Sequence, residues 1–198
     1  MNGFEKRTLE KKEQILKVTF SLMNQDDGIT NLTMTEVAQL ANVAKATIFK
    51  YFGSKENLIH EVYRSFIDNM RSDLLKIKEK NLVFEDLLMA MSKVKIHYLD
   101  MINKQFYLDL MAYYTKKESD ELDSLLQEYL QESMNIMLDI FHQGRKERKI
   151  DLKYSDEFLL VYFEAMLEGL SKKSIYERAK PYTEQWTELL IKGIAPSK

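Results

Sequence analysis

The side chains with the clearest chemical use lie between positions 43 and 58, where cationic residues are interleaved with short and aromatic ones. Lys45, Lys50 and Lys55 recur at a spacing of five residues. An ammonium group on a flexible stem binds phosphate, and such contacts position a protein on a nucleic-acid backbone without reading its bases. Ala46 and Thr47 are short enough to let a backbone approach base edges in a major groove. The segment therefore favours contact with a nucleic acid.

The charge balance leaves that interpretation open. The chain has a formal net charge of -2. Residues 1–60 carry eight Lys/Arg against seven Asp/Glu, a net charge of +1 for this stretch. Because a strongly basic surface is the usual electrostatic mark of a nucleic-acid binder, the case here depends on the pattern of residues instead.

Local signals place these lysines on short helices. Thr33 and Glu36 match a capping box, in which each residue satisfies a free backbone N–H of the other, and so mark the start of a second helix. Asn42 tolerates the left-handed backbone that a tight turn requires. Gly53 ends a third helix, and Ser54 caps a fourth. This order matches a helix-turn-helix, although the spacing alone fits a plain helical hairpin in a bundle equally well.

Composition and periodicity predict an all-α chain of about nine helices. Only six Gly and two Pro are present, and both prolines lie after residue 180. Good helix formers are abundant. The predicted helices span 8–24, 33–41, 44–51, 54–80, 83–102, 104–115, 119–147, 155–177 and 181–194.

Residues that could support catalysis or metal binding are poorly placed. The chain has no cysteine, and His60, His97 and His142 lack metal-ligand spacing. Asp120 and Glu121 belong to a charged stretch that is typical of a solvated surface. We therefore expect no enzymatic activity, no metal and no cofactor. The N-terminus lacks the apolar core of a signal peptide and no apolar run is long enough to span a membrane, so we expect a cytoplasmic protein.

The segment from Leu32 to Leu58 reads LTMTEVAQLANVAKATIFKYFGSKENL. It resembles the DNA-binding signature of the TetR family of transcriptional regulators, most closely from Val43 to Leu58. The sequence match covers roughly residues 8–60; beyond them only the architecture is similar. The resemblance implies a helix-turn-helix domain over 1–53, with the start of helix four to about 60, and an effector-binding and dimerisation domain over 54–198.

By that resemblance, the second and third helices carry the DNA contacts. The implied contact residues are Thr33, Thr35, Lys45, Ala46, Thr47, Phe49, Lys50, Tyr51 and Lys55. Some positions depart from the family pattern. Asn42 stands where Gly is usual, Ala44 where Ser is frequent, and Phe49 where Tyr is common. The last change removes a hydroxyl that could contact a phosphate.

Residues 61–198 are rich in methionine and aromatic side chains, which line adaptable apolar cavities as well as ordinary cores. Core packing is the simpler interpretation for any single residue. The resemblance implies an effector pocket formed by helices four to eight. The candidates for its lining are Tyr98, Phe106, Tyr107, Met111, Met137 and Phe141.

The helix after Ser155 is apolar nearly all round, which indicates burial on more than one side. The resemblance implies that it joins the last helix in a four-helix dimer interface, whereas burial within one chain is the alternative. The candidate interface residues are Phe163, Leu167, Leu170, Trp186 and Leu190.

Together these features predict a ligand-responsive repressor. As a homodimer it would bind a palindromic double-stranded DNA operator and be released by a small apolar or amphipathic effector. The alternative is a helical protein-interaction module with weak or no DNA affinity.

Overall fold

The computed structural model describes residues 3–115, 120–171, 175 and 178–197. Every regular element in this part of the chain is helical, which confirms the predicted all-α class. The nine α-helices found there are α1 (Gly3–Met23), α2 (Met34–Leu40), α3 (Lys45–Phe52), α4 (Lys55–Lys78), α5 (Phe84–Met101), α6 (Lys104–Thr115), α7 (Asp120–Lys146), α8 (Asp156–Ser171) and α9 (Thr183–Ile194).

The predicted helix ends differ from the observed ones mainly near the chain termini. Helix α1 begins at Gly3, before the predicted start at residue 8. A 3-10 turn, Lys180–Tyr182, contains Pro181, and α9 begins only at Thr183. Proline lacks a backbone N–H and has a preset φ, so it is suited to this opening turn but not to the interior of a helix.

By packing, the chain divides into two units. The first comprises residues 1–71 and 99–110, and the second comprises residues 72–98 and 111–198. The domain boundary predicted from the sequence, after residue 53, divides a DNA-binding domain from an effector-binding and dimerisation domain. It is a division by function, not by packing, and it stays a prediction.

An aromatic cluster forms the centre of the first unit. Phe106 has no exposed surface. Its ring centroid lies 5.1 Å from that of Phe20 and 5.4 Å from those of Tyr63 and Phe66, with the planes steeply inclined. Edge-to-face contacts of this kind add to the stabilisation from burial alone. The cluster joins α1, α4 and α6.

Polar contacts tie the start of α6 to the turn that follows α1. The Asn24 carboxamide accepts the Asn103 N–H at 2.6 Å and donates to the Met101 carbonyl at 2.9 Å. Asp109 Oδ2 accepts the Ile29 N–H at 3.0 Å. Gly28 is required beside it: its φ is +55°, and a Cβ there would lie 2.1 Å from Asp109 Oδ2.

The second unit has an apolar core made mainly by α5, α7, α8 and α9. Its fully or nearly fully buried members are Phe84, Leu87, Leu88, Met91, Ile140, Phe141, Ile150, Leu159, Leu190 and Ile194. Gly144 lets α7 approach this core closely, because a Cβ there would lie 2.7 Å from the Phe84 ring. The Glu147 carboxylate accepts the Phe84 N–H at 2.8 Å and so caps α5.

Candidate nucleic-acid interface and ligand site

The turn between α2 and α3 is built as its residues predicted. Thr33 Oγ1 accepts the Glu36 N–H at 3.1 Å and caps α2. Asn42 has a φ of +49°, in the left-handed region. The Val43 N–H then donates to the Ala38 carbonyl at 3.0 Å. Ala44 is the N-cap of α3 and makes no side-chain cap bond, as expected for alanine in place of serine.

Helix α3 has one buried and one exposed face. Ile48 has no exposed surface and Phe52 is only 8% exposed, so these two anchor the helix in the first unit. Residues spaced by three to four positions share a face, which leaves the other residues pointing away from the anchors. Lys45, Ala46 and Lys50 are exposed. This is the arrangement that a helix entering a groove requires.

The remaining residues implied by the resemblance lie around this face with differing access. Phe49 is 42% exposed, and Thr47, Tyr51 and Lys55 are partly exposed. Thr35 is exposed. Thr33 is also exposed, but its hydroxyl already serves as the α2 cap. Contact of any of these nine residues with DNA stays a prediction.

The first turn of α4 follows directly on α3. Ser54 Oγ accepts the Asn57 N–H at 3.0 Å, so Ser54 caps α4 as predicted. The pKa of Glu56 lies below its ordinary value because a backbone N–H and the Ser54 hydroxyl bond to its carboxylate. The negative charge of Glu56 makes this helix N-terminus less favourable for a phosphate, although lysines lie nearby.

A contact not anticipated from the sequence links α1 to α3. The Lys12 ammonium lies 5.7 Å from the centroid of the Tyr51 ring, within the range of a cation–π interaction. Both residues are in the first unit. Lys12 therefore places a positive charge next to the exposed face of α3.

The six predicted pocket residues divide between the two units. Phe106 and Tyr107 belong to the first, and Tyr98, Met111, Met137 and Phe141 belong to the second. Phe106 lies wholly within its aromatic cluster. The pKa of Tyr107 is raised by burial. The sequence could not separate these residues, because methionine and aromatic side chains serve cores and cavities alike.

Within the second unit, two of the candidates have packing or bonding roles. Phe141 has no exposed surface, and its ring centroid lies 5.2 Å from that of Phe163. The Tyr98 hydroxyl donates to Asp73 Oδ2 at 2.8 Å. Burial and this carboxylate raise the pKa of Tyr98 to about 12. Met111 and Met137 are partly exposed, and Met137 packs against the core.

The predicted dimer residues occupy different sides of α8 and α9. Trp186 is 43% exposed, as an interface residue must be in a single subunit. Leu190 is only 8% exposed and belongs to the core, and Phe163 packs on Phe141. Leu190 and Phe163 therefore pack within the second unit, and a role for any of the five residues in a dimer contact stays a prediction. The side chains of Leu167 and Leu170 lie outside the described part of the structure.

The outward sides of α8 and α9 carry other large apolar residues. On α8 they are Phe158, Val161 and Tyr162, exposed by 51%, 58% and 42%. On α9, Leu189 is 67% exposed, one position before the buried Leu190. Successive helical residues differ by about 100° in direction, so Leu190 can face the core while Leu189 faces outward. We call these four residues and Trp186 the apolar face.

Two further features are absent from the residues that the structure describes. No group of three or more His, Cys, Asp or Glu side chains is arranged there to hold a metal ion. None of the helices described is long and apolar enough to cross a membrane.

Comparison with known proteins agrees with this geometry. Residues 15–62 match the family model of bacterial regulatory proteins, tetR family. The chain is 32% identical over 79 residues to the HTH-type transcriptional regulator YhgD of Bacillus subtilis, a stretch that covers 40% of this chain and 41% of YhgD. The chain thus spans half or less of the length of YhgD and of the HTH-type transcriptional regulator BetI of Rhizobium meliloti.

Solved structures extend the likeness in fold to nearly the whole chain. A TetR-family transcriptional regulator from a Rhodococcus species matches with a TM-score of 0.72 at 18% identity, over 93% of this chain and 98% of its own. FadR of Bacillus subtilis, solved in complex with stearoyl-CoA, matches with a TM-score of 0.69 at 18% identity, over 92% of this chain and 98% of its own.

Proposed function

We propose that this chain, whose residues 15–62 match the family model of bacterial regulatory proteins, tetR family, is a ligand-responsive repressor. It binds a palindromic operator as a homodimer and is released when a small apolar or amphipathic effector occupies the second unit. The observation that carries the proposal is the outward face of α3, where Lys45, Ala46 and Lys50 are exposed opposite the buried Ile48.

The side chains on this face divide by the kind of contact they suit. Lys45 and Lys50 reach phosphates and hold the helix in register, whereas Ala46 and Thr47 approach the base edges. Two such helices in a dimer would lie about 34 Å apart, one turn of B-DNA. A ligand that alters this separation lowers the affinity for the operator, which couples two distant sites through geometry.

The apolar face supports the dimer. Five large apolar side chains, each more than two-fifths exposed, are costly to leave in water. A second copy presenting the same patch would cover them by a self-complementary, two-fold contact. The effector class is supported by the related fold of FadR, whose structure holds stearoyl-CoA.

DNA binding is tested with a labelled fragment from upstream of the protein's own coding region, by fluorescence anisotropy between about 50 and 200 mM salt. We expect wild type to bind with a steep salt dependence. Lys45→Ala should weaken binding to all sequences and reduce the log–log salt slope by about one per lost phosphate contact. Thr47→Ala should alter base preference while leaving the slope unchanged.

Lys93→Ala is the matched control, because Lys93 is an exposed lysine on α5 in the second unit. It should bind as wild type does. Absence of salt-dependent binding by wild type would overturn the proposal. It would support instead the protein-interaction module, an alternative that the net charge of only +1 in residues 1–60 keeps in view.

A further inference from the structure

A groove runs between the end of α4 and α5, within the second unit. Its volume is about 540 Å³. The residues that line it are Asp73, Lys76, Ile77, Lys80, Ala90, Lys93, Val94 and His97. On α5 the lining positions recur every three or four residues, so they share one face of the helix. None of the eight belongs to the apolar face or to the residues predicted to contact DNA or an effector.

The floor of the groove is apolar. Ile77 from α4 and Ala90 and Val94 from α5 are partly buried. Ile77 also packs against the core of the second unit, so the floor continues into that core. The short side chain of Ala90 leaves space between the two helices. A partner that covers this floor would gain from removing apolar surface from water.

The edges of the groove are cationic. The exposed members of its lining are Lys76, Lys80, Lys93 and His97. Asp73 is the only carboxylate among the described lining residues, and it already accepts from the Lys76 ammonium and from the Tyr98 hydroxyl, each at 2.8 Å. Lys80 and Lys93 form no ion pair with any residue that the structure describes. Two ammonium groups at the edge are therefore available to an anionic partner.

The shape of the groove favours a segment of protein over a small ligand. Small-molecule sites bury about 70–90% of the ligand surface, whereas this groove is open along its exposed lysines. From Ala90 to His97 it extends about 10 Å along α5, which matches two turns of a helix. A nucleic acid would pair with the lysines but would gain little from the apolar floor.

We propose that this groove binds an acidic amphipathic helix of a partner protein. Apolar side chains at every third or fourth position of that helix cover the floor, as in other helix-in-groove contacts. Carboxylates beside the apolar stripe pair with Lys80 and Lys93. Because both lysines are exposed, each pair adds little affinity, and the pairs serve mainly to select an acidic partner. The proposal does not rest on the proposed function, since it uses neither the outward face of α3 nor an effector.

The test uses a fluorescent synthetic peptide of about 16 residues, long enough to form a helix when bound. Leucines with helical spacing form one stripe, glutamates flank it, and alanines fill the rest. Anisotropy measures its binding to the full chain at low and high salt. We expect wild type to bind it about tenfold or more tightly than a counterpart with every glutamate replaced by lysine, and salt to weaken the binding.

Charge reversal locates the contact. Lys80→Glu and Lys93→Glu, tested singly, should each weaken binding of the acidic peptide by about fivefold, because an attraction is replaced by a repulsion. Lys146→Glu is the matched control, since it reverses an exposed lysine on α7 that does not line the groove. It should bind the peptide as wild type does.

A second measurement covers the case in which a reversed charge disturbs the fold. Isoleucine methyl groups labelled with 13C are followed by NMR in wild type during titration with the acidic peptide. The signal of Ile77 should shift, because this residue lies in the floor of the groove. The signal of Ile150, which is 1% exposed in the core of the same unit, should stay in place.

The proposal is overturned if wild type shows no preference for the acidic peptide, if both groove variants bind it undiminished, or if the Ile77 signal does not move. Binding of the upstream DNA fragment that is weaker in Lys93→Glu than in Lys146→Glu would assign the groove to nucleic acid, and so would overturn it as well. Failure of the peptide to bind leaves the proposed function intact, because operator binding is measured without any peptide.

Discussion

Tyr98 shows how much the chemistry of a residue depends on its surroundings. It is only 7% exposed, and its hydroxyl donates to Asp73 Oδ2 at 2.8 Å. Burial and this carboxylate raise the pKa of Tyr98 to about 12. A buried hydroxyl without such an acceptor would carry the full cost of its desolvation.

Among the elements, the corner between α7 and α8 is tied by one carboxylate. Asp156, in the first turn of α8, accepts from the Arg145 guanidinium and lies 3.0 Å from His142 Nε2. Arg145 also donates to the Tyr154 carbonyl at 2.9 Å. A negative charge at a helix N-terminus is favourable in its own right. This corner orients α8, which carries part of the apolar face.

The bonds from His142 and then Arg145 hold the pKa of Asp156 below its ordinary 3.8. We expect Asp156→Asn to lose about 1 kcal/mol, at the low end for bonds to charged groups because the carboxylate is partly exposed. A lowered carboxyl pKa contributes stability above pH 3.8 that disappears as the pH falls through the folded value. The difference from wild type should therefore vanish in acid.

Urea unfolding between neutral pH and pH 3 checks this expectation. Glu157→Gln is the matched control, because it removes an exposed carboxylate from the same first turn of α8. It should cost less than Asp156→Asn. Equal losses would mean that the helix dipole alone, and not the contacts with α7, accounts for the effect.

For the whole molecule, the apolar face is the feature that bears on the proposed dimer, because it leaves large apolar side chains exposed in a single copy. The two faces of α9 differ sharply: Leu190 is in the core, whereas Leu189 is 67% exposed. A single subunit gains nothing from Trp186 and Leu189 in water. In the proposed dimer their burial would contribute to association, and association would bring two α3 helices to the proposed operator.

We therefore expect Leu189→Asp to be monomeric at concentrations where wild type is dimeric. Two unpaired carboxylates in the contact should raise the dissociation constant by about a hundredfold or more. Light scattering after size-exclusion chromatography measures this. Leu152→Asp, at a leucine that is 78% exposed outside α8 and α9, should leave wild-type behaviour unchanged. A dimeric Leu189→Asp would place the contact elsewhere.

The local conformation around α2 and α3 could be predicted from the sequence because its causes are local. Thr33 accepts a backbone N–H three residues away, Asn42 adopts a left-handed backbone by its own side-chain chemistry, and Ser54 caps the next helix in the same way. The all-α class followed likewise from composition and spacing. None of these features depends on a distant partner.

Only the tertiary structure decided which side of each apolar helix packs against the core and which side is exposed. Leu190 and Phe163 pack against the core of the second unit, whereas Leu189 and Tyr162 are exposed; the dimer contact of Leu190 and Phe163 stays a prediction. Periodicity defines a stripe but not its partner, since the partner helix lies far away in the chain.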